Sequence, residues 1–145
     1  MKNTKMIGNI TEISCMLEFI KLGYNVSVPY GDCERYDFIV DINNHLYRVQ
    51  VKTANDSHIE DGYITFRCSN RTTKEGKNHQ HVYTSNEIDF YATFYNGKCY
   101  LVPVGDYSSS KSLRFTPPKN GQMEGISFAK DYELKEVVKN YSNIL

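Results

Sequence analysis

Four side chains of types that cooperate in phosphate chemistry could converge on one site in the folded chain. They are Glu12, Asp37, Gln50 and Lys52. Carboxylate and amide oxygens bind Mg²⁺ and leave coordination positions for water. Such an ion offsets the charge of a phosphodiester and activates water, and an ammonium group stabilises the charge that develops in the transition state. If these side chains meet, the chemistry that they favour is metal-assisted hydrolysis of a phosphodiester bond.

A predicted β-hairpin brings three of these side chains together. The dipeptide Asn43-Asn44 separates the strand-like stretches YDFIVDI and HLYRVQVKTA and is a signal for a two-residue turn. A symmetric turn places Asp37 opposite Gln50, and Lys52, two residues further on, shares their face of the sheet. A bulge in either strand would change this register. The opposite face of the hairpin is apolar and is predicted to face the core, with Tyr36, Phe38, Val40, Ile42, Val49 and Val51.

The stretch GNITEISCMLEFIKLGY, residues 8–24, predicts the helix that would carry Glu12. We expect Asn9 to cap its start, with Glu12 as a capping-box partner, and Gly23 to end it. Glu12 also falls within the apolar arc of the helix. Burial of a carboxylate there costs free energy unless the carboxylate has a partner or a metal ion. Packing beside the hairpin would bring it near Asp37. The arc that we expect to face the core consists of Ile10, Ile13, Met16, Leu17, Phe19 and Ile20.

The remaining patterns predict an α/β (α+β) fold with a mixed β-sheet flanked by helices. DYELKEVVKNYSNIL predicts a closing helix, NRTTKEGKNHQHVYTS a polar, basic loop, and Ser108 to Ser110 a further loop. Pro117-Pro118 argue against a central strand nearby. Strands are predicted in NVSVPYGD, which ends in a turn at Gly31-Asp32, in DGYITFRC, and in IDFYATFYNGKCYLVPV, a pair that turns at Asn96-Gly97.

Composition sets the broad class of the protein. The chain has 145 residues, 40% of them apolar, which predicts one domain over residues 1–145 and excludes a disordered chain. Its 17 basic and 17 acidic residues cancel, so charge alone does not favour coating of nucleic acid, although a local basic surface remains open. The four cysteines are scattered without a CxxC pair, and no leader-like or membrane-spanning apolar run is seen. We therefore expect free thiols, a cytoplasmic protein and no membrane partner.

These motifs together resemble the PD-(D/E)xK nuclease superfamily, and more narrowly its small endonucleases that include intron-encoded homing enzymes. The resemblance is carried by Glu12 in an N-terminal helix, GDCERYDFIVD, RVQVKTA, the IDFYATFY…YLVPV pair and the late FAKDYEL stretch, which together span most of the chain. It implies a restriction-endonuclease-like core. Tyr36 stands where the name-giving Pro would be, and Gln50 replaces the second acid, as in branches with a QxK variant.

The resemblance also implies roles for the four side chains. Asp37 would bind the metal ion, with Glu12 as a direct or indirect ligand. Gln50 and the backbone carbonyl of Val51 would complete the site, and Lys52 would be the catalytic lysine. The implied cofactor is Mg²⁺, with Mn²⁺ as a substitute. Because Gln50 is neutral, the site carries one negative charge fewer than the usual pattern, and Glu12 is the expected replacement.

Three functions stay open at this point. The first is a metal-dependent endonuclease acting on double-stranded DNA, with a homing or restriction-like role. The second is a resolvase of branched DNA such as a Holliday junction, which would use the same site. The third is a non-catalytic DNA-binding module with a degenerate nuclease fold, for which Gln50 is the supporting feature. An intact set of Glu12, Asp37 and Lys52 favours an enzyme.

Two further expectations concern partners. One small domain holds one active site, and cutting both strands requires two, so we expect a homo-oligomer, either a dimer or a tetramer. The strand around Phe90 to Tyr95 is a candidate interface, with burial in the core as the alternative. The densest basic segment is predicted to bind DNA, and otherwise the footprint would lie near Lys111, Arg114 and Lys119. The candidate DNA-binding residues in that segment are Arg67, Arg71, Lys74, Lys77, His79 and His81.

Overall fold

A computed structural model describes residues 3–105, 107 and 109–142, except for the side chains of Thr72 and Ser142. Helix α1 (Thr4–Lys21) begins the described chain and α2 (Leu134–Ser142) ends it. The strands between them are β1 (Asn25–Ser27), β2 (Phe38–Ile42), β3 (His45–Val51), β4 (Tyr63–Arg67), β5 (Ser69–Lys74), β6 (Lys77–Val82), β7 (Phe90–Tyr95), β8 (Lys98–Pro103) and β9 (Ser110–Arg114). The main sheet has five strands in the order β1-β2-β3-β7-β8. Strands β3 and β7 are parallel and the other neighbours are antiparallel, which confirms the predicted mixed sheet and α+β class.

The two tight turns form as the dipeptides predicted. Asn43 and Asn44 have φ angles of 54° and 66°, and Asn96 and Gly97 have φ angles of 50° and 81°. Positive φ at both central residues is what the two-residue hairpin turn requires, and Asn and Gly adopt it at low cost. The first turn pairs Ile42 with His45, as expected, and so sets the register of β2 against β3.

The main sheet separates two apolar clusters. On one face, α1 and α2 both pack on β2, β3, β7 and β8 through side chains that include Phe19, Phe38 and Val137. On the other face, the small sheet of β4 and β9 covers Tyr91 and its neighbours. Because residues of β7 enter both clusters, this strand is core, which is the alternative that the sequence left open for Phe90 to Tyr95.

Helix α1 differs from the prediction at its start. It begins five residues before Asn9, and the side chain of Asn3 caps it by accepting a hydrogen bond from the Met6 amide at 2.8 Å. Asn9 therefore lies inside the helix, and Glu12 lies in its third turn rather than at a capping position. The predicted capping role of both residues is wrong, because an earlier Asn provides the cap.

The face that α1 turns towards the sheet also differs from the prediction. Its buried residues are Thr11, Cys15 and Phe19, whereas the predicted core residues Ile10, Ile13, Leu17 and Ile20 are exposed. Small side chains at positions 11 and 15 allow close approach to the sheet, and Phe19 packs edge-on against Phe38 with ring centroids 5.7 Å apart. Met16 and Phe19 are the members of the predicted arc that do pack on the core.

Three other segments differ from the sequence-based expectations. The predicted loop 70–85 contains the hairpin β5–β6, and β9, which was not predicted, pairs with β4. The closing segment first forms a 3₁₀ turn, Ala129–Tyr132, before α2 begins. Residues 143–145 of the predicted helix, and Ser108 of the predicted loop, lie outside the described residues. No helix within the described part of the chain is long and apolar enough to cross a membrane.

Candidate active site

The carboxylate of Asp37 lies at the end of the β2–β3 ladder. The regular pairing stops at Phe38 and Val49, and the Asp37 amide donates to the Val49 carbonyl at 2.8 Å. The predicted pairing of Asp37 with Gln50 is therefore wrong, because the strand departs from the ladder one residue earlier. The departure leaves the Val51 amide free of a β2 partner, and Asp37 Oδ2 accepts a hydrogen bond from it at 2.7 Å.

The side chain of Gln50 lies between Asp37 and Tyr83. In one orientation of its amide, Nε2 donates to the Tyr83 hydroxyl at 3.1 Å and the amide oxygen faces the Asp37 carboxylate. The amide oxygen and the carboxylate are both hydrogen-bond acceptors, so this contact is unfavourable. A half-turn of the amide removes this conflict. Nε2 then donates to Asp37 Oδ2 at 2.7 Å and to the Arg35 carbonyl at 3.3 Å, while the Gln50 oxygen accepts from the Tyr83 hydroxyl at 3.1 Å. The second orientation satisfies every partner and is the one that we assign.

The ammonium group of Lys52 joins the same cluster. Its Nζ lies 3.4 Å from the Tyr83 hydroxyl and 3.4 Å from the carbonyl of Ser69, and 4.8 Å from the centroid of the Tyr83 ring. Burial lowers the pKa of Lys52, and the charge of Asp37 opposes this by favouring the ammonium form. The structure therefore brings Asp37, Gln50 and Lys52 together despite the change in register.

Glu12 faces the same region from α1. Burial raises its pKa, and the charge of Asp37 raises it further. Burial likewise raises the pKa of Asp37, although the hydrogen bond from Val51 and the charge of Lys52 pull it back down. Two partly buried carboxylates, of which Asp37 makes Glu12 costlier to ionise, form a site at which a cation is favoured.

The donor atoms around Asp37 fit a hard divalent cation. Among the described residues, no three or more His, Cys, Asp or Glu side chains form a metal-binding group, so the acidic ligands would be Asp37 and Glu12 alone. The N–H and C=O of a strand residue point towards the same neighbouring strand, so the Val51 carbonyl lies on the side of Asp37. Gln50 would present its oxygen to the ion if its amide turned back from the assigned orientation, in which Nε2 faces Asp37. An all-oxygen set of this kind suits Mg²⁺ or Mn²⁺ better than a metal that prefers sulfur or imidazole.

Tyr83 is a residue of this cluster that the sequence analysis missed. It directly follows β6, is 4% exposed, and contacts both Gln50 and Lys52 through its hydroxyl. Burial raises its pKa, so the hydroxyl remains protonated at neutral pH. Its ring packs edge-on against Tyr91 with centroids 6.0 Å apart, which fixes the position of the hydroxyl. The only signal in the sequence was an aromatic residue directly after a long polar segment.

The predicted basic loop is a two-stranded ribbon that begins and ends at this cluster. Ser69, at the start of β5, contacts Lys52, and Tyr83 follows the end of β6. Every residue of β6 is exposed, and the ribbon turns at Glu75 and Gly76, both with positive φ. The register places Lys74, Lys77, His79 and His81 on one face, and Arg71, Asn78 and Gln80 on the other.

The candidate DNA-binding residues differ in their surroundings. Lys74 and Lys77 lie opposite each other at the tip of the ribbon, where like charges repel unless an anion lies between them. Arg67 is exposed at the end of β4. His81 instead lies at the base, where its Nε2 is 2.8 Å from Glu87 Oε1. This contact ties the ribbon to the body of the protein, so His81 is less available to DNA than the sequence analysis expected.

Comparisons with known proteins identify the family. The chain matches the family model of the PD-(D/E)XK endonucleases over residues 2–135, and it belongs to that family. The chain is thus assigned to a family of nucleases, which generally act with divalent metal ions. Among solved structures it is similar to a bacterial homing endonuclease, I-Ssp6803I, at 22% identity and a TM-score of 0.79, covering 99% of this chain and 98% of that one. This likeness confirms the restriction-endonuclease-like fold. A search of curated protein sequences finds no significant match.

Proposed function

We propose that this chain is a divalent-metal-dependent endonuclease that hydrolyses phosphodiester bonds in double-stranded DNA, with Mg²⁺ as its cofactor and Mn²⁺ as a substitute. The observation that carries the proposal is the cluster of Asp37, Gln50, Lys52 and Tyr83 at the root of a basic ribbon. A two-stranded ribbon has dimensions that the major groove accepts. DNA held by the ribbon would lie next to the proposed catalytic lysine.

Each residue has a role that follows from its contacts. Asp37 and Glu12, with the Val51 carbonyl and the oxygen of Gln50, would hold the ion, which supplies activation of water and offsets the charge of the phosphate. Lys52 donates hydrogen bonds to the non-bridging oxygens of the phosphate as negative charge builds up on them. Tyr83 holds the Lys52 ammonium and can pair with either end of the Gln50 amide, since a hydroxyl both donates and accepts.

The proposed reaction is the hydrolysis of one phosphodiester bond by one water molecule. The oxygen of water bonds to phosphorus, one ester P–O bond breaks, and the leaving oxygen takes up a proton. Cutting both strands of a duplex requires two active sites, so we propose that the protein acts as a homo-oligomer. The free cysteines Cys15, Cys33, Cys68 and Cys99 support a reducing, cytoplasmic location. The likeness to I-Ssp6803I favours a homing role over a restriction-like one.

The test uses a plasmid library with a randomised insert, incubated with the protein in Mg²⁺ or in EDTA. We expect Mg²⁺-dependent double-strand cleavage of a subset of plasmids. Asp37→Asn and Lys52→Ala should each lower the cleavage rate by orders of magnitude while DNA binding survives. The matched controls are Asp41→Asn, on the same strand β2 outside the cluster, and Lys139→Ala on α2, which should behave like the parent.

Other results would redirect the assignment. DNA binding without cleavage in either Mg²⁺ or Mn²⁺ would support the non-catalytic module and contradict the proposed enzyme. Cleavage of four-way junctions with no cleavage of linear duplex would support the resolvase. Cleavage by Asp37→Asn at the rate of the parent would show that the reaction takes place elsewhere.

A further inference from the structure

The outward face of α1 carries an uninterrupted stripe of large apolar side chains. Met6, Ile10, Ile13, Leu17 and Ile20 are between 47% and 62% exposed. Their spacing of four, three, four and three residues is the heptad spacing of helices that pair lengthwise. The opposite face of the helix already packs on the sheet through Cys15 and Phe19. The stripe is therefore additional to the apolar surface that the fold itself uses.

Between Met6 and Ile20 the borders of this α1 stripe carry no charge. The residues that flank it along its length are Ile7, Asn9, Ser14 and Met16. The charged Lys21 lies at the end of the helix, where its Nζ is 3.3 Å from Glu18 Oε1. A second copy of the same face would meet no like charge along the stripe, so charge does not oppose self-association.

The size of the stripe matches what a pair of copies needs. With Ile7, which borders it and is 36% exposed, the stripe presents on the order of 500 Å² of apolar surface. This is at the upper end for a patch on a monomer. Burial of the stripe on two copies would remove roughly 1,000 Å² from water, which is the lower bound for a specific protein interface.

We propose that α1 pairs with α1 of a second copy of this chain, across a two-fold axis near Ile13. Ile13 is the central residue of the stripe and the most exposed of the five. A stripe that extends equally on both sides of its centre meets the requirement of a two-fold interface, in which the same patch contacts itself. Glu12 immediately precedes Ile13 on the helix, so this pairing would fix two candidate active sites in one assembly. This pairing rests on the proposed function, because cutting both strands of a duplex requires two active sites.

The first test measures molar mass by sedimentation velocity, without DNA or metal. The parent should sediment as a dimer or as a dimer of dimers, and Ile13→Glu and Leu17→Glu should each halve its mass by placing acidic groups at the contact. The control is Val28→Glu, because Val28 is also 62% exposed but lies outside α1. Circular dichroism should give a parent-like folded spectrum for all three variants, since none of these side chains is buried within the fold of one copy. A monomeric parent, or an Ile13→Glu variant with the parent's mass, would overturn the proposal.

The second test maps the contact directly. In a Cys33→Ser background, which removes the exposed native thiol, Ile13→Cys should form a disulfide-linked dimer on mild oxidation, and Val28→Cys should not. A stable dimer without this cross-link would place the interface elsewhere. Both tests are independent of cleavage. A paired but inactive protein would therefore refute the proposed nuclease alone, and an active protein with parent-like mass in Ile13→Glu would refute the interface alone.

Discussion

Replacement of Gln50 by Glu tests the amide orientation that we assign at the centre of the site. In the absence of metal, Gln50 Nε2 donates to Asp37 Oδ2 at 2.7 Å. Gln50→Glu replaces this donor by a second carboxylate of the same shape, so an attraction becomes a repulsion. A metal ion between the two carboxylates would reverse the sign again. We therefore expect Gln50→Glu to be less stable than the parent in EDTA and to gain more stability from Mg²⁺.

The magnitude follows from the bond that is lost. A hydrogen bond to a charged group contributes roughly 1.5–3 kcal/mol, and repulsion between the carboxylates adds to its loss. For a chain of this length, 1 kcal/mol shifts the melting temperature by about 2–4 °C. The variant should therefore melt at least about 4 °C below the parent at pH 8 in EDTA. At pH 5 the gap should narrow, because one of the two carboxyl groups binds a proton and again donates to the other.

The assay is differential scanning calorimetry at both pH values, with and without Mg²⁺. Gln50→Met is the control, because it keeps the size of the side chain and loses the hydrogen bond without adding a charge. It should be destabilised at both pH values to the same extent and should gain no extra stability from Mg²⁺. Equal melting temperatures for the parent and Gln50→Glu in EDTA would refute the orientation in which the amide donates to Asp37.

Three other predictions follow from the same geometry. Glu12→Gln should raise the melting temperature in EDTA near pH 8, and this gain should vanish near pH 3. The reason is that the folded-state pKa values of Glu12 and Asp37 are raised, so the stability linked to these groups is present at acidic pH and is lost as pH rises. Tyr83→Phe removes one hydrogen-bonding hydroxyl worth about 1 kcal/mol, so the single-turnover cleavage rate should fall roughly five-fold with unchanged DNA affinity, and an unchanged rate would argue against a positioning role. Lys74→Ala/Lys77→Ala should weaken binding to all duplexes and reduce the log–log salt slope by about two units, whereas a parent-like slope would place the DNA footprint outside the ribbon tip.

The turns and strands were predictable because local chemistry decides them. Asn43-Asn44 and Asn96-Gly97 each adopt the backbone angles that their residue types favour. Alternation of apolar residues then identified the core face of the hairpin, where Phe38, Val40 and Val49 are fully buried. These patterns sufficed to place Asp37, Gln50 and Lys52 near one another.

The helix face was not predictable from periodicity alone. The pattern shows that Ile10, Ile13 and Leu17 share a face, but not whether that face meets the sheet or another molecule. The sheet instead selected Thr11 and Cys15, whose small side chains permit close packing and leave the larger apolar residues outside. The apolar arc of α1 predicts a core face, and in this protein most of that arc is surface.

The ribbon and Tyr83 were missed for a different reason. Residues 70–82 are polar on both faces, so no alternation marks them as strands, and the Glu75-Gly76 turn is a weaker signal than Asn-Gly. Tyr83 joins the site through contacts with Gln50 and Lys52, which are more than thirty residues away in the chain. Only the tertiary fold brings these residues together.

The proposed metal-dependent cleavage of DNA depends on the carboxylate of Asp37. The most direct measurement is the single-turnover cleavage rate of a duplex selected from the plasmid library, titrated with Mg²⁺, for the parent, Asp37→Asn and Asp41→Asn. We predict saturable Mg²⁺ dependence for the parent and Asp41→Asn, and a loss of at least about 100-fold for Asp37→Asn with intact DNA binding. Equal cleavage rates for the parent and Asp37→Asn, or cleavage by the parent that persists in EDTA, would contradict this prediction.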